Sequence, residues 1–157
     1  MRRFGGPGSP GRAGWDKFPR LMAVRVGVPK ETAEGEHRVA LVPEVVRKLV
    51  AKGVEVTVEP GAGARALIPD TAYQEAGATL GSDVWSADVV AVVAPPSEAH
   101  IAGLHAQQVL VGFLAPLSSP QTTEALAASG ATALAMEAVP RISRAQSMDA
   151  LSSQANV

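Results

Sequence analysis

Short apolar runs alternate along this chain with stretches whose apolar residues recur at helical spacing. The runs are "VRVGV" (24–28), "VEVTV" (54–58), "DVVAVV" (88–93), "QVLVGFLA" (108–115) and "TALAM" (132–136). Most are nearly continuously apolar, so each predicts a buried strand. Between them, "VPEVVRKLVAKG" carries Pro43 at a first helical position, where a missing N–H costs little. Its Val45, Val46, Leu49 and Val50 form an apolar stripe, and Gly53 supplies a left-handed stop. "SPQTTEALAASG" repeats this grammar with Ser119 as N-cap, Pro120 next and Gly130 as terminator. Shorter helices are expected after Asp70 in "DTAYQEAG" and after Ser97 in "SEAHIAGL". The alternation predicts βα units joined by right-handed crossovers. The fold class is therefore α/β: a mostly parallel sheet with helices on both faces, a Rossmann-like or flavodoxin-like half-domain. Ligands of such sheets lie beyond the carboxyl ends of the strands.

Composition sharpens this reading. A chain of 157 residues supports one core rather than two full α/β domains. Aromatic residues make up only 4% against 46% hydrophobic, so the core is built from Val, Ala and Leu, which favours a parallel sheet over a sandwich. The absence of cysteine excludes disulfides, thiolate metal sites and cysteine nucleophiles. The longest apolar run, near "VVAVVAPP", falls far short of the roughly 20 residues a bilayer helix needs.

Charge is unevenly placed. Residues 1–21 hold Arg2, Arg3, Arg12, Lys17 and Arg20 against Asp16 alone, which leaves residues 22–157 with nine basic and fourteen acidic groups, a net charge of −5. A basic face for nucleic acid is not expected on such a body. The tail is rich in Gly and Pro, which disfavours the amphipathic helix of a transit peptide. It is expected to be disordered, with a short arm touching phosphate or anionic lipid as the alternative. Met22 opens the better strand, so a true start there is a further expectation. The domain proper is residues 22–157.

The chain closes on "VPRISRAQSMDALSSQANV", directly after the last predicted strand. Pro140 sets an extended approach, and Ser143 with Gln146 forms an S-x-x-Q capping box. Met148, Leu151 and Ala155 then share one helical face, while Gln146, Asp149, Ser152, Ser153 and Asn156 occupy the others. A solvent-facing helix start is one reading. The scarcity of Lys and Glu points to another, because short amides and hydroxyls suit a carboxamide, a ribose or a backbone. The helix also lacks a Gly or cationic final turn, so it reads as cut rather than finished.

This closing stretch, with "VRVGVPKETAEGEHRVALVPEVVRKLVAKGVEVTVEPGAG", resembles the N-terminal part of the alpha subunit of proton-translocating NAD(P) transhydrogenases over roughly residues 22–157. "PRISRAQSMDALSSQAN" is highly specific to that family, whereas "GVPKE…RVALVP" is shared with alanine dehydrogenases. The resemblance implies that Arg141, Gln146, Asp149 and Ser152 serve the nicotinamide end of bound NAD(H). It implies hydride transfer to NADP(H) held on a partner subunit while protons cross the membrane elsewhere. The family acts as a homodimer of this component, with a beta subunit and a membrane domain. That places the component on the cytoplasmic or matrix side, peripheral to the membrane through its partners. Hydride transfer between two nicotinamides needs positioning rather than a general base, which fits these residue types and leaves no residue assigned a catalytic role. The resemblance also implies that the chain ends before the Rossmann domain that grips most of NAD, so that alone it binds weakly and turns over nothing.

Two motifs invite other readings. "EPGAGARA" fits G-x-G-x-x-A with Gly61, Gly63 and Ala66, yet Ile68 and Pro69 follow too soon for a helix and Asp83 is badly placed as the acidic partner. A structural turn is expected. Arg38 matches the arginine that binds substrate carboxylate in alanine dehydrogenases, but the Lys and His that assist it there are missing from "AVVAPP" and "VGFLAP". Alanine dehydrogenase chemistry is thus the second reading and a non-catalytic interaction module the third. Arg38 is expected to pair with a carboxylate or cap backbone carbonyls. His37, His100 and His105 are scattered, have no metal-site spacing and are expected at the surface.

Overall fold

The computed structural model describes residues 23–139. Six strands form one sheet: β1 (Arg25–Val28), β2 (Glu55–Val58), β3 (Thr79–Leu80), β4 (Val89–Ala91), β5 (Val109–Gly112) and β6 (Thr132–Ala135). Their order across the sheet is β3-β2-β1-β4-β5-β6, and every pairing is parallel. That order is the Rossmann one, which decides between the two sheet types expected, and it reverses direction between β1 and β4. The five predicted strands all form, each within its predicted run. β3 escaped notice because two residues carry no readable period.

Four helices join them: α1 (Pro43–Val50), α2 (Asp70–Glu75), α3 (Glu98–Ala102) and α4 (Pro120–Ser129). α1, α3 and α4 begin where boundary residues predicted, whereas α2 includes Asp70 and has Pro69 in the N-cap place; Gly53 and Gly130 are in the left-handed region after α1 and α4. The stripe of α1 is narrower than expected: Val46 is fully buried and Leu49 and Val50 partly so, but Val45 faces outward. At α4, Ser119 takes the N-cap place without capping a backbone N–H. Its hydroxyl instead meets that of Thr122 at 2.7 Å.

The registered pairs explain why two cores arise. Val26 lies level with Val56 and Val89, and these share the face covered by α1 and α2, together with Val28, Val58 and Tyr73. Val90 lies level with Leu110 on the other face, where Ile101 of α3 and Leu126 of α4 close over them. Tyr73 is fully buried, and its hydroxyl donates to the carbonyl of Leu41 at 3.0 Å, so its polar end is satisfied. Gln108 is buried on the same terms. Its amide donates to the carbonyls of Trp85 and Ala87 at 2.8 and 2.9 Å and accepts from the His105 N–H at 3.0 Å. One strand departs from expectation: β6 is an edge strand, and Thr132, Ala133 and Leu134 are exposed rather than buried.

Gly27 sits where β1 meets a 3₁₀ turn at Val84–Ser86, and a Cβ built there would fall 1.9 Å from the carbonyl oxygen of Val84. No side chain can move to relieve that contact, because the obstacle is backbone. Gly27→Ala is expected to destabilise the chain by about 3 kcal/mol or more. Urea denaturation checks this, and an unchanged midpoint would show that the strand and turn are not in close contact.

Candidate functional site

The carboxyl edge of the sheet is where this topology offers a site. Parallel strands leave the first amides beyond their ends without ladder partners, so the residues that satisfy them decide what room remains. Past β1, Lys30 donates its N–H to Glu59 at 2.8 Å, which links that loop to the end of β2. Glu31 is 8% exposed and reaches across the reversal point to β4, accepting the N–H groups of Val93 at 2.5 Å and Ala94 at 3.2 Å. Burial pushes its carboxyl above the ordinary range, and the two amides partly offset this. Beyond β5, Ala115 adopts a positive φ of 49°, and its N–H donates to Glu137.

These contacts leave a cavity of about 560 Å³ at the ends of β4 and β5. Ala91 to Val93, Val111 to Phe113 and Met136 form its floor, and Arg38 to Val42 with Ala66 and Ile68 form its rim. Arg38 is the one charged residue in that lining among the described residues. Its Nε and Nη2 donate to the Glu36 carboxylate at 2.7 and 2.6 Å, and its guanidinium lies 5.7 Å from the centre of the Phe113 ring. The expectation that Arg38 pairs with a carboxylate is met. Arg65 holds the same loop from below, donating to the carbonyls of Ala33 and Glu36 at 3.3 and 3.2 Å.

The glycine-rich motif is a turn, as expected. Gly61 has φ 76°, its N–H donates to both carboxylate oxygens of Asp70 at 2.9 and 3.1 Å, and only a 3₁₀ turn at Ala64–Ala66 follows. A phosphate would find that amide taken. His37 and His105 are exposed, but His100 is half-buried and stacks on Trp85 with ring centres 4.1 Å apart, which corrects its expected surface position. Stacking hides the ring face that its helical position alone does not reveal. Among the described residues no group of His, Asp and Glu could hold a metal ion.

Arg141, Gln146, Asp149 and Ser152, with the S-x-x-Q capping box before them, lie outside the described residues, as does the basic tail 1–21. The described chain leads toward the first group from β6 through a turn at Met136–Ala138, and Met136 lines the cavity. Sequence reasoning missed Glu31, Glu137 and the apolar rim Val39–Val42. An acidic residue three positions past the end of a buried strand is a signal that could have pointed to Glu31.

The family model for "Alanine dehydrogenase/PNT, N-terminal domain" matches residues 27–157. The "NAD(P) transhydrogenase subunit alpha" of Haemophilus influenzae is 42% identical over 134 residues, covering 84% of this chain and 26% of that protein. Among solved structures, the transhydrogenase from Sinorhizobium meliloti superposes with a TM-score of 0.79 at 44% identity, over 84% of this chain and 39% of that one. An L-alanine dehydrogenase is more distant, with a TM-score of 0.71 at 37% identity over 74% and 33%. The chain thus spans between a quarter and two fifths of the length of these relatives.

The Arg38 guanidinium holds the Glu36 carboxyl well below its usual range, at about 2. A depressed acid contributes stability that is present above its ordinary pKa of 4.5 and is lost as pH falls toward about 2. Carboxyl NMR titration is expected to find the Glu36 midpoint near 2 and to find it raised toward the ordinary range in Arg38→Met, where only the backbone N–H bonds still lower it. An ordinary midpoint in the unmodified chain would refute the pairing.

Proposed function

The chain belongs to the alanine dehydrogenase/PNT N-terminal domain family, and on that premise we propose that it is the NAD(H)-side component of a proton-translocating NAD(P) transhydrogenase. The observation that carries this reading is the apolar cavity at the carboxyl edge, with Arg38 on its rim. A nicotinamide ring presents two flat, weakly polar faces and one carboxamide. The apolar residues Val93, Val111 and Phe113 in its lining suit the faces. In this reading Gln146, Asp149 and Ser152 hold the carboxamide or a ribose hydroxyl, and Arg141 anchors their loop or adjusts its charge. NAD(H), when bound, supplies the hydride, and the protein supplies the orientation of the ring.

The other components belong to the proposal as well. NADP(H) sits on a partner subunit, the component pairs as a homodimer, and a beta subunit and membrane domain move the protons. Among the described residues no helix is long and apolar enough to cross a membrane; in this reading the component meets the membrane through its partners. Alanine dehydrogenase chemistry is the second reading, favoured by the structural likeness to that enzyme. Against it, no lysine or histidine lines the cavity among the described residues, so the groups expected to assist a substrate carboxylate are missing. Because the chain spans only part of its relatives, it is expected to bind NADH weakly alone and to transfer no hydride by itself.

The test uses a full-length relative carrying the change that corresponds to Gln146→Ala. Hydride transfer is expected to fall by about two orders of magnitude, the scale of a misplaced reacting group, while the melting temperature stays within a degree or so. Equal losses of rate and stability would overturn the assignment. For the chain as it stands, titration with NADH followed by nicotinamide fluorescence should show no saturation at micromolar concentrations. Tight binding would point to a self-sufficient site.

A further inference from the structure

Where a Rossmann-ordered sheet reverses direction, it presents backbone donors past the ends of its two central strands, and an outside anion is what usually meets them. Here the donors are the N–H groups of Val93 and Ala94, and each is met by one oxygen of Glu31. We infer that this amide pair is a carboxylate-binding cradle, filled by the chain's own Glu31 and thereby closed to any outside anion.

Three observations support this. Glu31 is more than nine-tenths buried, and an ionised carboxylate is tolerated in such a place only when donors meet it. Among the described residues it makes no salt bridge: its hydrogen-bond partners are two neutral amides, and the Arg38 charge acts on it from beyond salt-bridge distance. Two donors side by side match the two oxygens of a planar carboxylate and leave the remaining oxygens of a phosphate unserved. Beside Glu31 lies a cavity of only about 20 Å³, bounded by Pro29, Trp85, Ala94 and Pro95 among others. Removing the side chain would add room for a one- or two-carbon acid and little more. The cradle is independent of what occupies the larger cavity, although Val93, which it holds in place, is among that cavity's lining residues.

Thermal unfolding of the purified Glu31→Ala chain in sodium formate, sodium acetate, sodium phosphate and sodium chloride at equal ionic strength tests it. Formate at about ten times its Kd is expected to raise the Tm saturably by roughly 3–6 °C over chloride. The unmodified chain should show no such difference. A response to formate no greater than to chloride would overturn the proposal, and so would greater stabilisation by phosphate than by formate. Should Glu31→Ala fail to fold, Glu31→Gln decides by NMR. An amide side chain offers one oxygen for two donors, so one of the Val93 and Ala94 amide proton resonances should move well upfield. If neither moves, the cradle does not exist.

Discussion

The structure turns on how free backbone amides are satisfied at the carboxyl edge of a parallel sheet. Each strand there ends in N–H groups that the ladder does not reach, and leaving one buried and unmet costs about 1–3 kcal/mol. This chain meets them with acids from neighbouring loops. Glu59 takes Lys30, Glu31 takes Val93 and Ala94, Asp70 takes Gly61, and Glu137 takes Ala115. The loops are stitched to one another across the edge, so their positions follow from the sheet rather than from their own sequences.

That arrangement also sets the chemistry of the edge. Amides that could meet an outside anion are occupied by carboxylates, and the added negative charge makes a second anion unwelcome. What remains open is an apolar hollow whose one charged lining residue among those described, Arg38, is drawn toward Glu36 and lies near Phe113. Such an edge suits a ring better than a phosphate. The proposal that the chain forms one wall of a nicotinamide site draws on this fit.

Close approach of backbones gives the hollow its shape. Gly112 ends β5 where an added Cβ would lie 2.5 Å from the Val92 carbonyl oxygen, so β4 and β5 continue side by side into the cavity floor. Gly27 allows the equivalent approach at the other end of the reversal, beneath the turn at Val84–Ser86. Neither glycine marks a turn. Both are read correctly only when the neighbouring strand or turn is in view.

Local pattern was enough for the scaffold. Continuous valine runs, the proline at the start of α1 and the glycine after it act over a few residues, so the strands, the helix starts and the α/β class follow from the sequence alone. The edge position of β6, the outward turn of Val45 and the stacking of His100 on Trp85 do not, because each depends on what lies beside the element. The residues of the closing stretch could be singled out by their types and by resemblance, while the cavity they are proposed to complete could not be drawn from spacing. Its floor joins β4 to β5, and Glu31 meets Val93 across 62 positions of chain. Periodicity records which side of an element faces inward; only the packed sheet decides which acid meets which amide, because that contact is made between segments that have no fixed relation until the core forms.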